Sequence, residues 1–292
     1  MIIKEALKKG TDIIKSAGIE TPTLEAGVIL CHVLGCDRIY IYTHCDTELQ
    51  PSQEKEYFEL LKKRTSGVPV QHITGFQEFM SLPFRVNEHV LIPRQDTEIL
   101  VEAVVEWVKN QKTQIQDKVK IMDMGTGSGC IAVSLAYYIE NSFVTAVDIS
   151  ENALKTAKLN AEVNNVADRI TFIQSNLFKD IPDEYRGRMY NVIVSNPPYI
   201  PTEDIKHLQK EVRCFDPVIA LDGGQDGLEF YRTIINEVND FLKPGGLLAF
   251  EVGYGQADAV AALMNGKFED IGRIKDLSGT ERVVFGRRET TL

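Results

Sequence analysis

After Lys118 the chain alternates between short apolar segments and longer amphipathic ones, and this alternation limits the possible folds severely. Such an alternation of strands and helices is typical of a parallel sheet that is covered by helices on both faces. The helices predicted between the strands include Ile131–Ile139, Glu151–Asn164 and Gly227–Leu242. The predicted strands are Val119–Met124, Phe143–Val147, Ile170–Ile173, Asn191–Ser195 and Leu247–Val252, with two more near Phe268–Ile274 and Arg282–Gly286. Since the last two strands lie close together in the sequence, we expect a doubly wound, seven-stranded α/β sheet with an antiparallel edge.

The residues before this region are predicted to form a small helical domain followed by a β-hairpin. Apolar residues recur at helical spacing through residues 1–75, and a strand-like pattern interrupted by Pro83 follows them. We therefore expect a helical domain over residues 1–75, a β-hairpin linker over residues 76–92 and an α/β domain over residues 93–292. Because the helical domain contains no recognisable catalytic constellation, we expect it to dock or to select a partner.

The charge balance bears on the class of partner and on the compartment. The net charge is −10; residues 1–75 hold 9 Lys and Arg against 10 Asp and Glu, and the remaining residues hold 23 against 32. Proteins that grip a phosphate backbone usually present a basic face, so we expect no nucleic acid as the main partner. No apolar stretch approaches the roughly 18 residues of a membrane span. Five scattered cysteines are typical of a reducing compartment, and we expect a cytoplasmic protein without membrane association.

The densest group of potential metal ligands comprises Cys31, His32, Cys36, His44 and Cys45. Their spacing matches none of the paired Cys-x-x-Cys patterns that zinc sites use. In the competing interpretation Cys31 is buried on one face of a helix. The other residues of that face are Leu24, Val28 and Leu34. The spacing favours the helix, and we expect no metal site.

A glycine-rich turn follows the first strand of the alternation. Its sequence is Asp123-Met124-Gly125-Thr126-Gly127-Ser128-Gly129, and a predicted helix comes next. Open α/β sheets bind ligands at the carboxyl ends of their strands, and glycines let the backbone approach a ligand closely. The spacing G-x-G-x-G differs from the G-x-G-x-x-G of dinucleotide sites, which bind a pyrophosphate. An acid such as Asp123 is compatible with the ammonium group of an amino acid. The alternative is a tight strand–helix turn that binds nothing.

Asp148 comes at the end of the second predicted strand of the alternation. A carboxylate at this position can accept hydrogen bonds from both hydroxyls of a ribose, as in the analogous dinucleotide-binding folds. It could instead cap the helix that begins near Glu151. Because Ser150 is available for that capping role, the sequence favours the ribose interpretation.

Asn176 follows the third predicted strand, at the same edge of the expected sheet. An adenine ring could be held here by a polar contact between its amino group and the Asn176 side chain. Leu177 and Phe178 would provide apolar cover for the ring. A plain turn is the alternative interpretation of these residue types.

The most specific motif is Asn196-Pro197-Pro198-Tyr199, directly after an apolar strand. Each proline fixes its φ and lacks an N–H, so the segment is rigid and the Pro197 carbonyl is left to accept a hydrogen bond. Together with the side-chain oxygen of Asn196, this carbonyl provides two acceptors for a planar NH₂ group, and Tyr199 provides an aromatic face. Two acceptors would orient a weakly nucleophilic amide nitrogen toward an electrophilic methyl group. The motif predicts an S-adenosylmethionine-dependent methyltransferase in which Asn196, Pro197 and Tyr199 are catalytic, with no metal required.

Together these motifs resemble those of the release-factor glutamine methyltransferases, the PrmC/HemK family. The similarity extends over nearly the whole chain, and the order and spacing of its motifs are more specific than any single motif. The family's fold is a Rossmann-like, seven-stranded methyltransferase domain with a small N-terminal helical bundle and a β-hairpin linker. The further matching segments are GFQEFMSLPFRV at 75–86, IPRQDTE at 92–98, EVR at 211–213, ALDGG at 220–224, DGL at 226–228 and the late Asp276, Arg282 and Val283.

The resemblance implies N5-methylation of the glutamine in the Gly-Gly-Gln motif of class I peptide chain release factors, which would be the protein substrate. It implies contacts to S-adenosylmethionine from Gly125, Thr126, Gly127, Ser128, Gly129, Asp148, Asn176, Leu177 and Asn196. The substrate glutamine would be held by Asn196, Pro197, Pro198 and Tyr199. This sequence departs from the family at Asn176, where Asp is common; Asn still offers an acceptor oxygen, but without charge assistance.

Three other functions are compatible with parts of the sequence. The exocyclic amine of adenine is also a planar NH₂ group, so N6-adenine methylation of DNA or RNA is the main alternative, although the acidic balance disfavours it. The tripeptide Gly223-Gly224-Gln225 could suggest a release factor, but it lies inside the methyltransferase pattern. A catalytically inactive binding module with the same fold is the third possibility.

Overall fold

The computed structural model describes residues 1–111, 118–187 and 189–290 and divides into two compact units. The first unit comprises Met1–Phe76 and Gln209–Phe215, and the second comprises Gln77–Leu208 and Asp216–Leu292. Across the described residues, no helix combines the length and the apolar character that crossing a membrane requires.

The helices and strands are numbered in chain order. The α-helices are α1 (Ile3–Ser16), α2 (Pro22–Leu34), α3 (Arg38–Thr43), α4 (Pro51–Thr65), α5 (Val70–Thr74), α6 (Glu98–Asn110), α7 (Cys130–Tyr138), α8 (Glu151–Val163), α9 (Lys210–Phe215), α10 (Glu229–Glu237) and α11 (Ala257–Met264). The strands are β1 (Phe76–Phe79), β2 (Leu82–Arg85), β3 (Val119–Met124), β4 (Ser142–Asp148), β5 (Ile170–Gln174), β6 (Tyr190–Ser195), β7 (Leu242–Glu251), β8 (Phe268–Lys275) and β9 (Glu281–Arg288).

The first unit is built from α1 to α5 together with α9. Its core contains the buried side chain of Tyr57, whose hydroxyl donates a hydrogen bond to the Ala26 carbonyl at 3.2 Å. A Cβ on Gly10 would lie 2.0 Å from that hydroxyl, so only glycine lets α1 approach Tyr57 this closely. The predicted apolar face of α2 is only partly correct. Cys31 and Leu34 are half-buried and pack against the core, whereas Leu24 is exposed and Ile29 is fully buried.

Arg64 is the central polar residue of the first unit. Its guanidinium is 3% exposed and pairs with Glu25, and its Nη2 also lies 2.7 Å from a carboxylate oxygen of Glu211. A third contact is its hydrogen bond to the Val68 carbonyl at 3.3 Å. A buried cation needs such partners, because removing one carboxylate would leave part of its charge uncompensated. Arg64 therefore anchors the segment of α9 within this unit.

The second unit contains the seven-stranded sheet, in the order β5-β4-β3-β6-β7-β9-β8. Strands β3 to β7 pair in parallel, whereas β9 is antiparallel to both β7 and β8. The predicted α/β sheet with an antiparallel edge is thus confirmed. Along β3, Ile121 belongs to the core on one face and Met122 to the core on the other. Burial on both faces explains the continuous apolar runs of the central strands.

One predicted boundary is wrong at the start of β7. We predicted a helix that ends at Leu242, but α10 ends at Glu237 and Leu242 is already paired with Tyr190 of β6. The register of β6 and β7 shifts after this pair, and Gly246 lies where a Cβ would be 3.0 Å from the Asn191 carbonyl oxygen. The glycines that resemble a turn in the sequence therefore permit a close, irregular approach of two paired strands.

Within the second unit, the side chain of Asn160 on α8 holds strand β2 in place. Its Oδ1 accepts a hydrogen bond from the Arg85 N–H at 2.7 Å, and its Nδ2 donates to the Arg85 carbonyl at 3.0 Å. The same Nδ2 donates to the Ser128 carbonyl at 2.8 Å. One buried amide thereby fixes both the hairpin strand and the glycine-rich turn against α8.

Candidate active site

A cavity of about 480 Å³ opens in the second unit at the carboxyl ends of the parallel strands. Open α/β sheets bind ligands at this edge, because the loops after successive strands converge there. The cavity brings together residues from the ends of four strands that the sequence analysis singled out. These residues are Gly125, Thr126, Gly127, Ser128, Asp148, Asn176, Leu177, Asn196, Pro197 and Pro198. Gly129 and Tyr199, which we also predicted as site residues, are not part of the lining.

The glycine-rich turn forms one wall of the cavity. Gly125, Gly127 and Gly129 all have positive φ, of 75°, 54° and 80°, a conformation that other residues adopt only with strain. A Cβ built on Gly125 or Gly127 would meet nothing within 4 Å, so the space beside them is open to a ligand. At Gly129 a Cβ would lie 2.9 Å from the Cβ of Ala157, so this glycine serves packing against α8.

Asp123 lies beneath the turn and is fully buried. Its Oδ2 accepts hydrogen bonds from the Thr126 hydroxyl at 2.6 Å and from the Ala132 N–H at 3.1 Å. Burial raises the pKa of this carboxyl to about 7 against those two hydrogen bonds. Its Oδ1 has no partner among the described residues. Asp123 therefore fixes the turn and offers one unsatisfied acceptor beneath it, rather than forming part of the cavity wall.

Asp148 lies at the end of β4 and reaches back to the glycine turn. Its Oδ2 accepts the Gly127 N–H at 2.8 Å, and its Oδ1 accepts the Ser150 N–H at 2.9 Å. Burial raises its pKa, and these backbone hydrogen bonds oppose the rise. The cap of α8 is Ser150, whose Oγ accepts the Ala153 N–H at 3.2 Å, so the capping interpretation of Asp148 is wrong. Each carboxylate oxygen keeps a further lone pair for a ligand hydroxyl.

Asn176 and Leu177 follow β5 and also line the cavity. The Asn176 side chain is exposed, while its backbone N–H donates to Asp180 at 3.4 Å. Leu177 has a φ of 50°, a rare value for a branched side chain, and its carbonyl accepts a hydrogen bond from Ser175 at 2.7 Å. This turn presents one polar and one apolar side chain to the cavity.

Asn196 extends from the end of β6 toward the short 3₁₀ helix Gln95–Thr97, which directly precedes α6. Its Nδ2 donates a hydrogen bond to the Thr97 hydroxyl at 3.2 Å, and Thr97 is itself only 2% exposed. With its amino side turned toward Thr97, the acceptor side of the Asn196 amide remains available at the cavity. The local geometry therefore provides an acceptor for an N–H donor.

The two prolines and Tyr199 differ in their positions. Pro197 is buried and Pro198 half-buried, and both line the cavity. The Tyr199 ring packs beside Gly253, where a Cβ would lie 2.9 Å from its Cδ2, and its carbonyl accepts a hydrogen bond from Gln256 at 2.9 Å. Burial raises the Tyr199 pKa to about 12, so the phenol stays neutral. The structure thus places Tyr199 beside Gly253 and Gln256 and outside the cavity lining.

Two cavity features were not predicted from residue types alone. Arg94 lines the cavity, and its Nη2 lies 2.8 Å from a carboxylate oxygen of Asp216, whose side chain is almost completely buried. Thr97 also lines the cavity and holds Asn196. Both residues lie in the IPRQDTE segment that carries part of the family resemblance, but their partners are more than 90 positions away. A tertiary contact of this kind leaves no local periodicity that a sequence pattern could show.

The described residues contain no group of three or more His, Cys, Asp or Glu side chains arranged to hold a metal ion. What they do provide is a glycine cradle, a carboxylate beside it, a polar–apolar pair after β5 and an oriented amide after β6. A ligand with a flat ring, a ribose and an amino-acid end would meet complementary groups at each of these points.

Comparison with known proteins gives information on the family of the chain that is independent of this cavity. Residues 5–75 match the family model of the PrmC N-terminal domain, and residues 97–212 match that of the methyltransferase small domain. The release factor glutamine methyltransferase of Clostridium acetobutylicum is 39% identical over 289 residues, which cover 99% of each chain. That of Clostridium botulinum is 38% identical over 289 residues, covering 99% of this chain and all of the relative. In fold, the hMettl16 catalytic domain, solved with the MAT2A 3'UTR hairpin 6, matches with a TM-score of 0.55 at 15% identity, covering 80% of this chain and 83% of that chain.

Proposed function

The chain belongs to the release factor glutamine methyltransferase family, and from this membership we propose its specific reaction. It transfers a methyl group from S-adenosylmethionine to the side-chain N5 of the glutamine in the Gly-Gly-Gln motif of class I peptide chain release factors. The observation that carries this proposal is the oriented amide of Asn196 at the wall of the cavity. Its free oxygen is suited to accept a hydrogen bond from a planar NH₂ group.

The residues around the cavity fit S-adenosylmethionine at several points. The open space beside Gly125 and Gly127 accommodates the amino-acid end, and the unsatisfied Oδ1 of Asp123 lies beneath that turn. Asp148 would bind the ribose hydroxyls, and the Asn176–Leu177 pair would bind the adenine. Thr126 and Ser128 belong to the same cradle, which Gly129 supports by packing. When bound, S-adenosylmethionine supplies an electrophilic methyl group.

The chain's own residues would bind and orient the substrate glutamine. The Asn196 side-chain oxygen and the Pro197 carbonyl would accept its two amide N–H bonds, which orients the nitrogen and raises its electron density. Pro197 and Pro198 keep these acceptors in place, because the ring of proline restricts φ. Tyr199 would support this segment, since its ring packs beside Gly253 and its carbonyl accepts a hydrogen bond from Gln256. Removing these groups should therefore slow methyl transfer more than it weakens binding.

We further propose that residues 1–75 form the release-factor docking domain, residues 76–92 the hairpin linker and residues 93–292 the methyltransferase domain. The match of residues 5–75 to the PrmC N-terminal domain supports a role in the same family function. On α3, Ile39 is 70% exposed and Tyr42 is 53% exposed, which is the kind of apolar surface that binds protein partners. We also propose a cytoplasmic location, because the proposed substrate acts in translation.

The proposed function is tested by a methyl-transfer assay with labelled S-adenosylmethionine and two alternative acceptors. One acceptor is an intact class I release factor, and the other is a set of adenine-containing DNA and RNA oligonucleotides. We expect label in the release factor and none in the oligonucleotides. Label found only in nucleic acid would show that the NH₂ group of adenine is the acceptor and that the proposed function is wrong.

A further inference from the structure

Glu251 is a buried carboxylate whose place in the sheet brings it beside Asn196. It is the last residue of β7, and β7 pairs in parallel with β6 so that Phe250 lies opposite Ser195. The next position on each strand is therefore Glu251 on β7 and Asn196 after β6. On its other side Glu251 is paired with Val283 of β9. The side chain is 3% exposed, so it is enclosed by these strands and by the segment that holds Thr97.

Asn196, Thr97 and Glu251 form one polar cluster. The Asn196 Nδ2 donates to the Thr97 hydroxyl, which leaves the hydroxyl hydrogen free to donate in turn. The Glu251 carboxyl lies close enough to the Thr97 hydroxyl and to the Asn196 amide for both to lower its pKa by hydrogen bonding. Its Oε2 has no partner among the described residues, so the carboxylate also has spare capacity as an acceptor. The amino side of the Asn196 amide thus lies beside the Thr97 hydroxyl and the Glu251 carboxyl.

We propose that Glu251 is a positioning residue, which fixes the orientation of the Asn196 amide directly and through the Thr97 hydroxyl. A carboxylate accepts hydrogen bonds only, so it attracts the amino side of the amide and repels its oxygen. The Asn196 oxygen is therefore directed toward the cavity, where the substrate amide would bind. A flipped Asn196 would present an amino group to the substrate's own amino group and would bring two oxygens together at Glu251. The inference rests on the proposed function and assigns a residue to it.

The surroundings of Glu251 make this device sensitive to pH. Burial raises the pKa of Glu251 to about 7; Asp96 also raises it, while Arg282 and the hydrogen bonds from Thr97 and Asn196 lower it. Arg282 is shared, since it also pairs with Asp96 at 2.8 Å and with Asp276 at 2.9 Å. The other titratable neighbours, Tyr199, Tyr231 and Cys130, have raised pKa values and stay neutral near pH 7. Protonated Glu251 would become a donor and release its hold on the amide.

The first test is the isosteric substitution Glu251→Gln, assayed with a class I release factor at saturating S-adenosylmethionine. Because a charge-assisted acceptor is replaced by a neutral one, kcat should fall by about tenfold. The dissociation constant of S-adenosylmethionine should keep its wild-type value. The wild-type kcat should decline as the pH falls through about 7, whereas the variant should lose this acid limb. The matched control is Glu237→Gln, an exposed position on α10, where both kcat and its pH profile should match the wild type.

A second pair of variants tests the hydroxyl link independently of Glu251. Thr97→Val keeps the shape of the side chain but removes the hydroxyl, and it should lower kcat, whereas Thr97→Ser should restore most of the activity. The role is contradicted if Glu251→Gln keeps the wild-type kcat or the acid limb, or if Thr97→Val and Thr97→Ser behave alike. With an active wild-type enzyme, such results overturn this inference alone. A wild-type enzyme that does not methylate a release factor would overturn the proposed function and this role together.

Discussion

Asn196 combines a backbone that two following prolines restrict with a side-chain amide that two buried neighbours orient. An asparagine amide has a donor side and an acceptor side of nearly the same shape, so its surroundings decide which side a substrate meets. Thr97 and Glu251 occupy the donor side. The orientation of the side chain that we propose presents the substrate amide therefore depends on two residues that the substrate need not touch.

Asn196→Ala should reduce single-turnover methyl transfer by about 100-fold or more, because it removes an oriented acceptor at the reacting nitrogen. The dissociation constant of S-adenosylmethionine should change much less, and circular dichroism should show an intact fold, since Asn196 is only half-buried. Asn152→Ala, at an exposed position on α8, is the matched control and should leave the rate unchanged. A near-normal rate in Asn196→Ala would remove the basis for the amide-positioning role.

Among the secondary-structure elements, the glycine turn between β3 and α7 shows two uses of the same residue type. Gly125 has positive φ with open space beside it, whereas Gly129 has positive φ and packs against Ala157. Beside Gly125 the backbone leaves space that is open to a ligand, whereas at Gly129 close packing joins the start of α7 to α8. The two glycines should therefore respond differently to the addition of one methyl group.

Gly125→Ala should cost about 1 kcal/mol of unfolding free energy, because its only penalty is the strain of positive φ. Gly129→Ala adds overpacking against Ala157 and should cost about 2–4 kcal/mol. Urea denaturation of both variants beside the wild type measures these values. Equal losses would show that the contact with Ala157 relaxes freely and that only φ matters.

The central strands were predictable because burial on both faces produces continuous apolar runs, and β3 has the predicted bounds Val119–Met124. The positions of the residues that we predicted to bind the cofactor followed in the same way, from the end of each strand. The start of β7 was not predictable, because Lys243–Gly246 resembles a turn and its pairing with β6 depends on a register shift. The role of Glu251 was equally hidden, since it arises only when β6 and β7 lie side by side.

At the scale of the whole molecule, two buried carboxyls link stability to pH. Burial raises the pKa of Asp123 and that of Glu251 to about 7 in each case. A carboxyl whose pKa is higher in the folded than in the unfolded protein contributes its full stabilisation only at pH values below the unfolded pKa. For Glu251 that ordinary value is 4.5, and the contribution is lost as the pH rises through about 7. These two carboxyls should therefore make the free energy of unfolding lower at pH 8 than at pH 5.

Glu251→Gln should remove one of the two contributions to this pH dependence. Relative to the wild type, the variant should gain up to about 3 kcal/mol in unfolding free energy between pH 5 and pH 8, because glutamine carries no charge to desolvate. Thermal unfolding at the two pH values, with Glu237→Gln as the exposed control, measures the difference. If the difference in unfolding free energy between variant and wild type is the same at pH 5 and pH 8, Glu251 does not ionise between these pH values.

The exposed apolar residues of α3 give the first unit a candidate surface for an intact release factor. The double substitution Ile39→Asp and Tyr42→Asp should raise KM for the release factor by about tenfold or more, with little change in kcat. Leu277→Asp, at a fully exposed apolar position in the second unit, is the matched control and should leave KM unchanged. An unaltered KM in the double variant would place docking elsewhere on the molecule.

The most direct measurement is tandem mass spectrometry of a class I release factor after reaction with the wild-type enzyme and with Asn196→Ala. The wild-type enzyme should add one methyl group to the side-chain nitrogen of the Gly-Gly-Gln glutamine, and a release factor with Glu in place of that glutamine should stay unmodified. The Asn196→Ala variant should leave the glutamine almost unmodified over the same time. A methyl group on any other residue, or equal modification by both enzymes, would contradict the assignment of Asn196 as the residue that presents the substrate amide.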